Sequence, residues 1–90
     1  MKTAEIDTIY LDLAAGINAA EVTCHDASAG ITELLKAQHA LDGLASMLTR
    51  VRNAAPGDAE YQTMFSELAD TTTGLRLVLL QRLCASEKAA

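Results

Sequence analysis

A seven-residue repeat of apolar side chains through the first half of the chain most constrains the fold. The repeat forms two columns, the second four residues after the first. The first column consists of Ile6, Leu13, Ala20, Ala27, Leu34, Leu41 and Leu48. The second consists of Tyr10, Ile17, Cys24, Ile31, Gln38 and Ala45, with Gln38 as its one polar member. Two such columns lie on one face of a helix and form a seam along which helices pack lengthwise. The repeat therefore predicts an all-α protein.

A loop divides the chain beyond its midpoint. The segment from Asn53 to Asp58 contains the only proline, Pro56, together with a glycine, an asparagine and an aspartate. Arg50 and Arg52 precede the loop, where cations suit the negative end of a helix dipole. Either Pro56 lies in the first turn of the next helix or Asp58 caps that helix. A Pro-Gly-Asp loop this short makes the helices on its two sides antiparallel neighbours.

The first half allows two interpretations. The stretch from Thr23 to Gly30 is the poorest in helix-forming residues, which favours a break there. Gly16 followed by Asn18 and Glu21 is a second place where a helix could stop and restart. The unbroken repeat instead favours one continuous helix, because turns usually reset the phase of such a pattern.

We therefore predict a small antiparallel helical bundle that forms a single domain over residues 1–90. Its helices are expected at about 3–24, 29–53 and 58–86, with a bend or break between the first two. A helical hairpin, in which the first two segments are continuous, is the alternative.

The last segment has more apolar surface than one seam requires. Its seam positions, three or four residues apart, are Tyr61, Phe65, Leu68, Thr72, Leu75 and Leu79. The run from Leu75 to Cys84 is apolar around nearly its whole circumference, so it should be covered on more than one side. Leu75, Leu79 and Leu83 can face the rest of the chain. Three side chains are then left for a second face: Leu77, Leu80 and Cys84.

Composition limits the partners of the chain. A chain of 90 residues with three aromatic side chains builds a thin core, and oligomerisation is a usual remedy for small domains. The net charge of −5 disfavours nucleic acids and anionic membrane surfaces as partners. We therefore expect a homodimer, alone or with another protein as a further partner, and no binding to nucleic acid or membrane.

The sequence contains no recognisable catalytic motif. The soft metal ligands Cys24, His25, His39 and Cys84 lack the close paired spacing of zinc sites, and we predict no metal and no cofactor. Both cysteines are expected to be small buried apolar residues. An enzyme would have to use Glu67 and Asp70, three residues apart, with further acids or arginines converging on them. We expect no enzymatic activity.

These observations favour an interaction module: a regulator, adaptor or chaperone-like protein that presents an apolar helix face to another helix. The candidate interaction face is formed by Leu77, Leu80 and Cys84, and an alanine-rich face including Ala15 and Ala19 is a second candidate. A small helical enzyme and a purely structural assembly subunit are the alternatives. The N-terminal residues lack the apolar stretch of a signal peptide, so a cytoplasmic location is expected.

Overall fold

The computed structural model describes residues 3–54, 57 and 59–89, apart from the side chains of residues 3 and 86–89. These residues form three helices: α1 (Thr3–Cys24), α2 (Ile31–Ala54) and α3 (Ala59–Ala89). Every pair of helices is in contact, in a bundle of 49 × 16 × 16 Å. The predicted all-α bundle is confirmed, in its three-helix form rather than as a hairpin. No strand occurs among the described residues.

The helical structure of the first half is interrupted between Cys24 and Ile31. The stretch around Gly16, the other predicted break, is helical. The connection between α2 and α3 covers residues 55–58. The predicted roles of Pro56 and Asp58 at the start of α3 lie outside the described residues.

The first apolar column forms the centre of the core. All of its members are buried except Ala27, which lies in the turn between α1 and α2. The seam predicted for the last segment is also confirmed, because Phe65, Thr72, Leu75 and Leu79 are buried there. The hydroxyl of Thr72 donates to the Leu68 carbonyl at 2.8 Å, so its burial leaves no polar atom without a partner.

The prediction that the second column forms part of the buried seam is wrong in α2. Ile31 is half exposed, and Gln38 and Ala45 are only partly buried. The buried positions are instead Ala37 and Val51, three residues after the first column rather than four, and Leu44 between them is partly buried. The reason is the side of α2 on which α1 packs. Leu44 contacts α1 at Gly16, whereas Gln38 and Ala45 border α3.

The buried side chains form two clusters that meet in the middle of the bundle. Leu44 and Leu68 pack against both clusters, so the core is continuous along the bundle. In one cluster the Phe65 ring packs edge-on against Tyr10, with ring centroids 5.9 Å apart, and thereby joins α3 to α1. This geometry is favourable for aromatic pairs and adds to the area that the ring buries.

Local hydrogen bonds explain why the chain turns after Cys24. Asp26 Oδ1 accepts from the Ser28 amide at 2.9 Å and from the Ser28 hydroxyl at 2.6 Å, and the Asp26 carbonyl accepts from the Ala29 amide at 3.1 Å. The Gly30 amide donates to Glu33 Oε2 at 2.9 Å, which is the acid-to-backbone half of a capping box for α2. The bonds from Ser28 also hold the pKa of Asp26 below its ordinary value. These side chains offer the backbone an alternative to helical hydrogen bonding.

At two glycines within helices, an added side chain would contact no neighbouring atom. A Cβ built on Gly43 or Gly74 has no neighbour within 4 Å, whereas one built on Gly16 would stand 3.0 Å from Leu44 Cδ2. Glycine in a helix interior is less favourable than alanine by about 1 kcal/mol. We expect Gly43→Ala and Gly74→Ala each to raise the free energy of unfolding by about that amount, measured by urea denaturation.

Gly16→Ala is the matched control for this prediction. The same gain in helix propensity is opposed there by the need to move Leu44, so we expect a smaller gain or a loss. Destabilisation by Gly43→Ala would contradict an open helix surface at that position.

Candidate functional site

The antiparallel helices α2 and α3 leave an apolar groove between them at one end of the bundle. We call it the α2–α3 groove; its volume is about 310 Å³, and its lining residues are Ile31, Leu35, Gln38, Leu80, Leu83 and Cys84. Ile31, Leu35 and Leu80 are each about half exposed. Half-exposed aliphatic side chains gathered around one concavity form the kind of apolar patch that marks binding sites.

Helix α3 has one buried face and one exposed apolar face, as its sequence predicts. Leu75 and Leu79 are buried against the other helices, whereas Leu77 and Leu80 are 56% and 48% exposed. Leu77 precedes Leu80 by three residues and Cys84 by seven, so the three positions share one face of the helix. Leu77 therefore extends the apolar surface of the groove along α3.

The prediction that both cysteines are buried is wrong for Cys84. Its thiol is exposed, because the apolar run continues around α3 beyond the face that the bundle covers. Cys24 is buried, and its thiol donates to the Leu75 carbonyl at an Sγ–O distance of 3.9 Å. Burial raises the pKa of the Cys24 thiol, so this group stays protonated at neutral pH, where it is a poor nucleophile. Both cysteines are free thiols.

Sequence reasoning missed the wall of the groove that α2 contributes. Ile31 was assigned to the buried seam, and Leu35 was assigned no role. The signal was present, because Ile31, Leu35 and Gln38 follow a four-then-three spacing that places them on one side of α2. Their exposure depends on which side of α2 receives α1, and that choice is made by the tertiary packing.

The face between α2 and α3 becomes polar away from the groove. Arg76 and Asp42 form an ion pair at 2.8 Å, with both side chains about half exposed. Beyond this pair, Arg52 and Arg76 line a cleft of about 200 Å³ with Thr49 and Thr73. Both hydroxyls donate to carbonyls of their own helices, so they add no free donors to the cleft. This side of the bundle is thus apolar at one end and polar at the other.

The alanine-rich face of α1 is divided by the packing. Ala15 and Ala19 are exposed, Ala14 is half buried and Ala20 is buried in the core. Only Ala19 and Ala20 border a shallow cleft between α1 and α2 of about 280 Å³, which also has charged walls. Ala15 and Ala19, four residues apart, therefore share an exposed surface to which Ala20 does not belong.

Arg82 has a structural role that sequence reasoning missed. Its guanidinium Nη1 donates to the carbonyls of Thr23 and Cys24 at 3.1 and 3.0 Å. Carbonyls in the last turn of a helix lack partners within the helix, and a cation there suits the helix dipole. Arg82 thus caps the end of α1 from another helix, 58 residues later in the chain than Cys24.

Among the residues considered for chemistry, only Cys84 lines the groove. Glu67 and Asp70 are exposed on α3, and His25 and His39 are exposed in the turn and on α2. Within the described part of the chain, no three His, Cys, Asp or Glu side chains lie close enough to share a metal ion. None of the described helices combines the length and the apolar character needed to cross a bilayer.

Comparison with known proteins identified no relative. No family model matches the chain, and neither a curated protein nor a solved structure is significantly similar to it.

Proposed function

We propose that the protein is an interaction module that acts through the α2–α3 groove and Leu77, and that its partner at this surface is a second copy of the chain. The observation that carries the proposal is the convergence of Ile31, Leu35 and Leu80 from two helices around one opening, each about half exposed. Covering such side chains removes apolar area from water at a gain of about 25 cal/mol per Å². A dimer formed in this way would serve as a regulator, adaptor or chaperone-like protein.

The position of Leu77 favours a second copy as the partner. Helix α3 runs from Ala59 to Ala89, and Leu77 lies close to its midpoint. In a two-fold symmetric dimer each subunit uses the same patch, and residues near the axis contact their own copies. Two α3 helices that cross antiparallel near Leu77 would overlap along most of their length, and each would present Leu77 and Leu80 to the other subunit.

Charge opposes this arrangement only at long range. Each copy has a net charge of −5, so two copies repel each other at long range. The groove itself is lined by no charged side chain, and the nearest ion pair, Arg76 with Asp42, is internally neutral. The apolar contact can therefore form without burying an unpaired charge.

Sedimentation equilibrium tests the proposal. We expect the wild-type chain to have about twice its 9.5 kDa mass. The Leu77→Glu/Leu80→Glu variant should sediment as a single chain with an unchanged helical circular dichroism spectrum. Burying carboxylates in an apolar contact is costly, and the dimer dissociation constant should rise by at least roughly a hundredfold.

The double substitution Leu11→Glu/Val22→Glu is the matched control. It adds the same charge at exposed apolar positions on α1 and should leave the dimer intact. Wild-type assembly of the Leu77→Glu/Leu80→Glu variant would show that another surface is used. A wild-type chain that stays monomeric at high concentration would contradict the homodimer.

The proposal includes a cytoplasmic location. A reducing compartment would keep the exposed Cys84 thiol, at the edge of the contact, from oxidation.

A further inference from the structure

The seven-residue repeat continues across a turn, where nothing in the closed bundle requires it. Ala20 is buried in α1 and Leu34 is buried in α2, although the chain reverses direction between them. A turn of any length could join two such buried faces. The 14 residues from Ala20 to Leu34 nevertheless correspond to about four helical turns. If the segment between them were helical, both buried faces would point in the same direction.

The turn is also built so that it can straighten without disturbing the core. Across the described residues no backbone φ is positive, so none of residues 25–30 is held in a left-handed conformation that a helix would forbid. The segment contains no proline, and all of its side chains except Ala29 are exposed. The bonds lost on straightening are the local ones at Asp26 and Gly30 and the two from Arg82.

We propose that residues 25–30 are a hinge through which two copies of the chain exchange α1. When the hinge becomes helical, α1 and α2 form one helix about 78 Å long, and α1 packs on α2 and α3 of the second copy. The buried contacts of α1 form again between chains, which is why such an exchange has a low free-energy cost. The carbonyls of Thr23 and Cys24 then accept helical hydrogen bonds and release Arg82, which acts as a latch on the closed form.

This exchange is distinct from the contact proposed above. Helix α1 contributes no residue to the lining of the α2–α3 groove, so the groove is present in both forms. The partner of the exchange is again a second copy, but it is held by the core face of α1 rather than by an outer surface.

Two variants change the hinge in opposite directions. Asp26→Ala/Ser28→Ala/Gly30→Ala removes the bonds that hold the turn and raises helix propensity, so the dissociation constant of the exchanged dimer should fall at least roughly tenfold. Ala27→Pro is the matched control. Position 27 follows Asp26 in the turn closed by the Ala29 amide, where proline is well accommodated, but proline inside a continuous helix is strongly unfavourable. This variant should form no exchanged dimer.

An intramolecular distance distinguishes the exchanged dimer from a groove dimer. Spin labels are attached at Asp12→Cys and Ser46→Cys in a Cys84→Ser background, and the labelled chain is refolded with an excess of unlabelled chain. In the closed bundle the labels lie on adjacent helices whose axes are roughly 8–10 Å apart, and their separation should be below about 30 Å. In a continuous helix their separation of 34 positions corresponds to about 51 Å.

The dimer of the triple alanine variant is expected to give the long distance, and the Ala27→Pro variant only the short one. A triple variant that stays monomeric, or that dimerises with the short distance unchanged, overturns the proposal. If the triple variant does not fold, Gly30→Ala alone is subjected to the same measurement and judged by the same outcomes.

Discussion

Phe65→Ala is expected to lower the free energy of unfolding by roughly 3–5 kcal/mol. Phe65 is fully buried, and its ring joins α3 to Tyr10 of α1 in a cluster that includes Ile6 and Leu13. The substitution removes the largest side chain of that cluster and leaves a cavity between three helices that can collapse only in part. Native domains are stable by only about 5–15 kcal/mol, so the variant should lose a large part of its stability at room temperature. Urea denaturation followed by circular dichroism measures the loss.

Leu77→Ala is the control for this prediction. Leu77 is 56% exposed, and its truncation should cost less than about 1 kcal/mol in the monomer. The comparison is made at a concentration low enough to keep the chain monomeric. Similar losses at Phe65 and Leu77 would contradict the burial of the aromatic pair.

Arg82→Met is expected to lower the free energy of unfolding by about 2 kcal/mol. The variant keeps the apolar part of the side chain over the bundle but removes both donors to the Thr23 and Cys24 carbonyls. Hydrogen bonds from a charged donor are stronger than neutral ones, and carbonyls left without partners in a half-buried site lose solvation. The loss should appear in urea denaturation at any ionic strength, because the bonds are short and shielded.

Arg76→Met separates this effect from the general removal of an arginine. The ion pair of Arg76 with Asp42 is about half exposed, and pairs of this kind contribute at most about 1 kcal/mol. Its contribution should also decrease with added salt. Equal losses for the two variants would show that the cap on α1 does not stabilise the bundle.

The sequence predicts those parts of the fold in which the apolar spacing is long and regular. The column from Ile6 to Leu48 and the seam from Phe65 to Leu79 have such a spacing, and the structure buries their members except Ala27 and, in part, Leu68. Helix α2 departs from its predicted second column because α1 packs on the side of Leu44, whereas Gln38 and Ala45 lie on the side that borders α3. The turn at residues 25–30 was predictable from its poor helix formers, although the hydrogen bond from Gly30 to Glu33 was not foreseen.

The candidate site was half predictable for the same reason. The surplus of apolar residues on α3 identified Leu77 and Leu80 without knowledge of the packing. The other wall of the groove, Ile31 and Leu35, required knowledge of which side of α2 receives α1. Local sequence patterns could not predict the cap by Arg82, because its hydrogen-bond partners lie 58 and 59 residues earlier in the chain.

The cap by Arg82 also couples α1 to α3 in folding. The last carbonyls of α1 find these two partners only after α3 has docked, whereas α2 and α3 are joined by a short connection and can pair early. The end of α1 would fray in an isolated helix. Here it is hydrogen-bonded to a residue of α3 that lies far away in the sequence. Amide hydrogens in the last turn of α1 should then exchange with solvent by opening of the whole bundle rather than by local fraying. A single guanidinium thus makes a helix terminus part of the cooperative unit.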